Sequence, residues 1–181
     1  MRQDGLTAER EAAATIRPAA SRADIALARK LFVEYAQWLQ VDLCFQGFEQ
    51  ELANLPGAYA PPRGRLLLAG PQDDAFGCIA LRPLDGGAGC GCSASAGAGE
   101  PFVGEVKRLY VQPAHRREGW GGRLIRAIID EAHAIGYREL KLDTLERMSA
   151  ARALYADVGF HECPPYYNNP LAGAVYMALS L

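Results

Sequence analysis

At 181 residues, half of them apolar, the chain can bury one hydrophobic core and is short for two. A formal charge of -2 and a pI near 5.9 exclude whole-molecule attraction to nucleic acid or an anionic membrane, so any anion site has to be built locally. The five cysteines form no CxxC pair and have no histidine ladder, which argues against a disulfide framework or a metal site; Cys90 and Cys92 make a C-x-C within a glycine loop. "MRQDGLTAEREAAAT" is charged and lacks an apolar core, and no apolar run is long enough for a membrane span. A cytoplasmic protein is expected. Lysine occurs only at Lys30, Lys107 and Lys141 against many arginines and alanines, a composition that leans toward a bacterial source.

In chain order, residues 1–14 read as a loosely ordered extension with little to bury. "TIRPA" is a short strand. "SRADIALARKLFVEYAQWL" opens with a capping box, Ser21 to Asp24, and places Ile25, Ala28, Phe32, Tyr35, Ala36 and Leu39 on one helical face. "FQGFEQELANLPG" predicts a shorter helix closed by Pro56 and Gly57. "RLLLAG" and "AFGCIALRPL" are strands joined by the turn chemistry of "PQDD". Residues 85–101, "DGGAGCGCSASAGAGEP", read as a mobile connection between neighbouring strands.

"FVGEVKRLYVQ" is the next strand. A helix from about Gly119 to Ile135 turns Leu124, Ile125, Ile128, Ile129, Ala132 and Ile135 inward and ends at Gly136. "RELKLDT" is a strand, "MSAARALYADVGF" a short helix ended by Gly159, and "AVYMALSL" a closing strand. Three consecutive strands predict an antiparallel meander, and the later strand, helix, strand step predicts a parallel crossover. The expected product is one α/β domain over residues 15–181, with a mixed sheet flanked by helices.

The chemistry concentrates in "VKRLYVQPAHRREGWGGRLI", Val106 to Ile125. A helix N-terminus offers unpaired N–H groups and the positive end of the helix dipole. Gly119, Gly121 and Gly122 remove side chains from that end, and Arg116, Arg117 and Arg123 can add charge-assisted bonds. The alternative is a solvated glycine turn. A dinucleotide fingerprint fails, because its third glycine would fall at Leu124, and no P-loop sequence is present. Glu105, Lys107 and Arg108 place three charges in an otherwise central strand, a local conflict of the kind found at functional sites or where a strand end dips into water.

The pattern R-x-x-G-x-G, Arg116 to Gly121, directly after a strand, resembles the acetyl-CoA signature of the GNAT superfamily of N-acetyltransferases. "ALYADVGF", Ala153 to Phe160, resembles the A-L-Y-x-x-x-G-F segment of the same family. The resemblance covers roughly Thr15 to Leu181. It implies a mostly antiparallel sheet splayed between "KRLYV" and "LKLDT", and acetyl transfer from acetyl-CoA directly to a primary amine. It implies cofactor contacts from Leu109, Tyr110, Val111 and the run Arg116, Arg117, Glu118, Gly119, Trp120, Gly121, Gly122 and Arg123. The family often has an asparagine where this chain has Met148; Ser149 is near enough to take its place.

The chemistry of transfer and the resemblance together suggest the remaining roles. An acceptor ammonium must lose a proton before it attacks, and Glu105 is the candidate base, directly or through a water. The thioester oxygen gains charge and needs an N–H already in place, which Leu109 or Tyr110 supplies if the strand bulges there, as the resemblance implies. The departing thiolate benefits from a proton donor, and the resemblance implies Tyr155, at the family's "LY" position, for that role; the alternative is a core aromatic with its hydroxyl at the surface. Tyr166 and Tyr167 either wall the acceptor pocket or pack their loop. The acceptor is an amine on a small molecule or peptide, no metal is expected, and a homodimer is compatible. The rival from another class is a non-catalytic acyl-CoA-binding or sensor module.

Overall fold

The computed structural model describes residues 14–41, 47–84 and 102–181. The expected N-terminal extension, except for Ala14, and the 85–101 connection lie outside the described residues, as do Cys44, Cys90 and Cys92. The elements run β1 (Thr15–Pro18), α1 (Arg22–Leu39), α2 (Phe48–Asn54), β2 (Arg65–Gly70), β3 (Gly77–Pro83), β4 (Val103–Val111), α3 (Trp120–Ile135), β5 (Glu139–Leu145), α4 (Ser149–Asp157), β6 (His161–Glu162) and β7 (Ala174–Ser180). Short 3-10 turns cover Gly57–Tyr59 and Pro113–His115.

Seven strands form one sheet in the order β1-β2-β3-β4-β5-β7-β6. All neighbours are antiparallel except β4 and β5, which α3 connects as the parallel crossover. The capping box is present in full: the Ser21 hydroxyl accepts from the Asp24 N–H, and the Asp24 carboxylate accepts from the Ser21 N–H. Gly136 closes α3 in the left-handed region at φ 98°.

Two cores sandwich the sheet. Leu66, Leu68, Cys78 and Ala80 face α1 through Ala28, Leu31 and Phe32, while Leu67, Ala69, Ile79 and Leu81 face α3 through Leu124, Ile125 and Ile128. Burial on both faces explains why β2 and β3 read as continuous apolar runs instead of alternating ones. Among the described residues, no helix is long and apolar enough to cross a membrane, and no group of three or more His, Cys, Asp or Glu side chains could hold a metal.

Candidate active site

The parallel contact between β4 and β5 is short. Val103, Gly104 and Glu105 pair with Glu139, Leu140 and Lys141, and there the backbone pairing stops. From Val106 and Leu142 onward the strands diverge, and the sheet opens into a V. A second irregularity lies beside it. Cys78 pairs with Tyr110 and Ala80 with Lys107, so Arg108 and Leu109 together stand opposite the single residue Ile79. This is a β-bulge, with Arg108 left-handed at φ 59°.

The bulge reverses the side-chain alternation of β4. Val106 and Tyr110 are an even number of residues apart and would share one face of a regular strand. Instead Val106 lies in the α3-side core and Tyr110 in the α1-side core.

Two cavities meet in the V. The larger, about 460 Å3, runs from Trp38 and Tyr110 past Arg116 and Arg117 to Gly119 and Trp120 at the start of α3. The smaller, about 40 Å3, lies deeper and is walled by Tyr35, Lys107, Arg108, Asp143 and Thr144. Leu109, Met148 and Tyr155 line both. A ligand whose polar end sits at α3 and whose reactive end reaches this junction would follow the opened strand.

The mouth of α3 is built to leave backbone uncovered. Gly119 caps the helix at φ 83° with no side-chain hydrogen bond, and a Cβ there would meet nothing within 4 Å. The helix's first N–H groups have no side-chain cap, and Gly119, Trp120, Gly121 and Gly122 all line the larger cavity. Gly121 has a packing reason as well, since a Cβ would lie 3.2 Å from Leu154 Cδ2 on α4. The Arg116 guanidinium lies 4.3 Å from the Trp38 ring centre, and its Nε donates to the Val111 carbonyl at 3.0 Å. Trp120 packs on Phe76, with ring centres 5.0 Å apart, and Arg123 lies over Trp120 at 4.4 Å.

The structure thus brings Leu109, Tyr110, Val111, Arg116, Arg117, Gly119, Trp120, Gly121, Gly122 and Tyr155 onto the walls of one cavity. Glu118, Arg123 and Ser149 are exposed and lie beside that lining. At the start of α4 it is Met148, Ala150 and Ala151 that face the cavity.

Glu105 is 2 % exposed. Its Oε2 accepts from Arg82 Nε at 2.7 Å; its Oε1 accepts from the Tyr166 hydroxyl at 3.0 Å and lies 3.4 Å from Lys107 Nζ. Across the V, Asp143 Oδ1 accepts from Lys107 Nζ at 2.8 Å, and Oδ2 accepts from the Tyr167 hydroxyl at 2.9 Å. Tyr166 and Tyr167 therefore fasten their loop to the two strands through their hydroxyls. Burial pushes the Asp143 carboxyl up, but the Lys107 charge and hydrogen bonds outweigh this and leave it below the ordinary carboxylate range. Burial raises the Tyr155 phenol, which stays protonated throughout the physiological range.

Sequence reasoning missed Asp143, Trp38 and Glu51. An aspartate in "LKLDT" is a mild signal, because acids are depleted in strands. Trp38 and Glu51 give none, since nothing in their local sequence says what they face.

A splayed mixed sheet with a cleft running to a glycine-opened helix mouth is the architecture of an acyl-transferring enzyme, and comparison with known proteins agrees. Residues 29–160 match the acetyltransferase (GNAT) family. An uncharacterized N-acetyltransferase of Schizosaccharomyces pombe is 39% identical over 154 residues, covering 84% of this chain and 86% of that protein. An acetyltransferase from Streptococcus agalactiae shares the fold with a TM-score of 0.69 at 16% identity, over 93% of this chain and 99% of the other. A putative acetyltransferase from Salmonella typhimurium, solved with its cofactor acetyl-CoA, shares it with a TM-score of 0.62 at 21% identity, over 93% and 94% of the two chains. The chain belongs to the GNAT family of N-acetyltransferases and is an acyltransferase.

Proposed function

We propose that this enzyme transfers an acetyl group from acetyl-CoA to a primary amine by direct attack, with the pantetheine arm in the V between β4 and β5. The observation that carries this reading is the end of backbone pairing at Glu105 and Lys141, followed by a cavity from the junction of Leu109, Met148 and Tyr155 to the open N-terminus of α3. The diphosphate sits at that N-terminus, with Arg116 and Arg117 beside it.

The amine nitrogen attacks the thioester carbon, forming the C–N bond and moving the carbonyl electrons onto oxygen. The bulge presents the backbone N–H of Leu109 or Tyr110 to that oxygen. Collapse re-forms the carbonyl and breaks the C–S bond. The Tyr155 hydroxyl, kept protonated by burial, gives its proton to the thiolate and is restored by the second proton that the attacking nitrogen sheds as it becomes an amide. Neither described cysteine lines the cavities, in keeping with attack on the thioester itself: Cys78 is buried against the Arg108 carbonyl, and Cys163 lies beyond β6.

The proton lost by the ammonium passes to Glu105 through a water, because Arg82, Lys107 and Tyr166 already occupy its oxygens. Asp143 is the second reading, favoured because it lines the inner cavity. Glu105→Gln and Asp143→Asn separate the two: the variant that removes the base flattens the acid limb of the kcat profile, and the other keeps it.

Titration calorimetry with acetyl-CoA tests the whole. Micromolar binding followed by amine-dependent thiol release supports it. Binding without turnover on any amine points to the non-catalytic module, and no binding by the intact protein removes both readings.

A further inference from the structure

We propose that Glu51 and Arg108 form a positioning clamp, in which an ion pair from α2 holds the β4 bulge in its left-handed form and so aims the Leu109 N–H at the acyl carbonyl. The proposal rests on the acetyl-transfer reading above and adds to it the residues that set the geometry of the oxyanion donor.

A bulge whose first residue is left-handed normally carries glycine there, because a Cβ makes that conformation costly. Arg108 occupies the position at φ 59°. Arginine has no local side-chain bond that would favour this region, unlike asparagine or aspartate. The conformation therefore has to be held from outside.

It is held on two sides. The guanidinium is buried and makes a fork-to-fork contact, with Nε donating to Glu51 Oε1 at 2.9 Å and Nη2 to Oε2 at 2.6 Å. Glu51 is fixed in turn by the Tyr59 hydroxyl at 2.9 Å, and the Phe48 ring lies 5.1 Å from the guanidinium carbon. On the backbone side, the Cys78 thiol donates to the Arg108 carbonyl at 3.3 Å. The peptide that follows this carbonyl is the one that carries the Leu109 N–H, so fixing one end of its plane fixes the other.

The placement of Leu109 gives the clamp its consequence. It is one of three residues common to both cavities, and the other two, Met148 and Tyr155, begin and occupy α4 on the far side of the V. A peptide plane that rocks at Leu109 would lose alignment with an acyl oxygen held there. The bulge itself would survive loss of Glu51, because Tyr110 is anchored in the α1-side core and regular pairing would pull it out. Removing the clamp should therefore leave a folded protein whose oxyanion donor is loose.

The test needs no knowledge of the acceptor. Acetyl-CoA carrying carbon-13 at the thioester carbonyl is bound to the intact protein and to Glu51→Gln, Arg108→Lys and Tyr59→Phe, and the carbonyl stretch is read by isotope-edited infrared difference spectroscopy. Dissociation constants are measured on the same samples. In the unaltered protein the band moves to lower frequency on binding, as a hydrogen-bonded carbonyl does. The expectation is that Glu51→Gln and Arg108→Lys bind acetyl-CoA within about threefold of the parent yet lose roughly half or more of that shift. Tyr59→Phe, which leaves the ion pair and removes one hydroxyl from Glu51, loses a smaller part and serves if the other two fail to fold. A full parental shift in every folded variant overturns the clamp. Failure of the unaltered protein to bind acetyl-CoA instead overturns the acetyl-transfer reading on which the clamp depends.

Discussion

Lys107 Nζ stands 2.8 Å from Asp143 Oδ1 two register positions beyond Glu105 and Lys141, the last backbone pair between β4 and β5. A side-chain ion pair thus takes over where the ladder ends and pins the closed end of the V. Both groups are largely removed from water, at 6% and 12% side-chain exposure. Deleting one partner of such a pair strands the other charge. Asp143→Ala is expected to cost about 3 kcal/mol, the low end for a broken buried pair, because Glu105 remains 3.4 Å from the ammonium. A double-mutant cycle with Lys107→Met, followed by urea denaturation, measures the coupling; strict additivity would refute it.

Stability should fall in acid through the same groups. Burial pushes the Asp143 and Glu51 carboxyls up, but hydrogen bonds and charge from Lys107 and from Arg108 more than reverse this and depress both. A depressed carboxyl contributes stability that is present above its unfolded value, about 4, and is lost as the pH falls through the lower folded value. Urea midpoints should be level from pH 7 to about pH 5 and decline below about pH 4. The decline should be shallower in Asp143→Asn, which has no carboxyl there to protonate.

Tyr155→Phe removes a hydroxyl without changing ring packing against Phe160, whose centre lies 5.9 Å away. Turnover should drop about 100-fold or more, the usual worth of a general acid, while acetyl-CoA affinity stays within about threefold. Because burial raises this phenol, the parent enzyme should show no loss of kcat from tyrosine ionisation below about pH 10. Turnover near the parental value would remove Tyr155 from the mechanism.

The chain has two tryptophans, Trp38 and Trp120, and both line the larger cavity. Acetyl-CoA binding should therefore change intrinsic fluorescence without any added probe. Replacing Arg116 and Arg117 together by alanine should weaken binding about tenfold or more, through lost charge-assisted bonds and the lost Arg116 stack on Trp38. The gap between parent and variant should narrow as salt is raised, since exposed Arg117 acts through a screened field. Equal affinities at low salt would place the diphosphate elsewhere.

Helix capping offers a check on the fold alone. Ser21→Ala breaks one half of the capping box of α1 and should cost about 1 kcal/mol, with no effect on acetyl-CoA affinity. Thermal denaturation of the purified variant reads it directly.

Local pattern determined the elements by itself. Ser21 and Asp24 marked the start of α1, Gly136 and Gly159 marked two helix ends, and the apolar spacing of Leu124, Ile125 and Ile128 chose the buried face of α3. These features depend on contacts between near neighbours in the chain, which a periodicity carries in full. The arginine and glycine run also marked the helix mouth, because the site there is made of backbone that only missing side chains can expose.

The reactive end was decided by tertiary structure. That β4 bulges at Arg108 and Leu109, that Tyr110 changes core, that Glu51 reaches across 57 positions to hold Arg108, and that Asp143 faces Lys107 are relations between distant segments. A strand with one extra residue and a strand without it have the same composition and the same run of side chains. Only the partner strand fixes which one forms, and with it which backbone N–H the cleft receives.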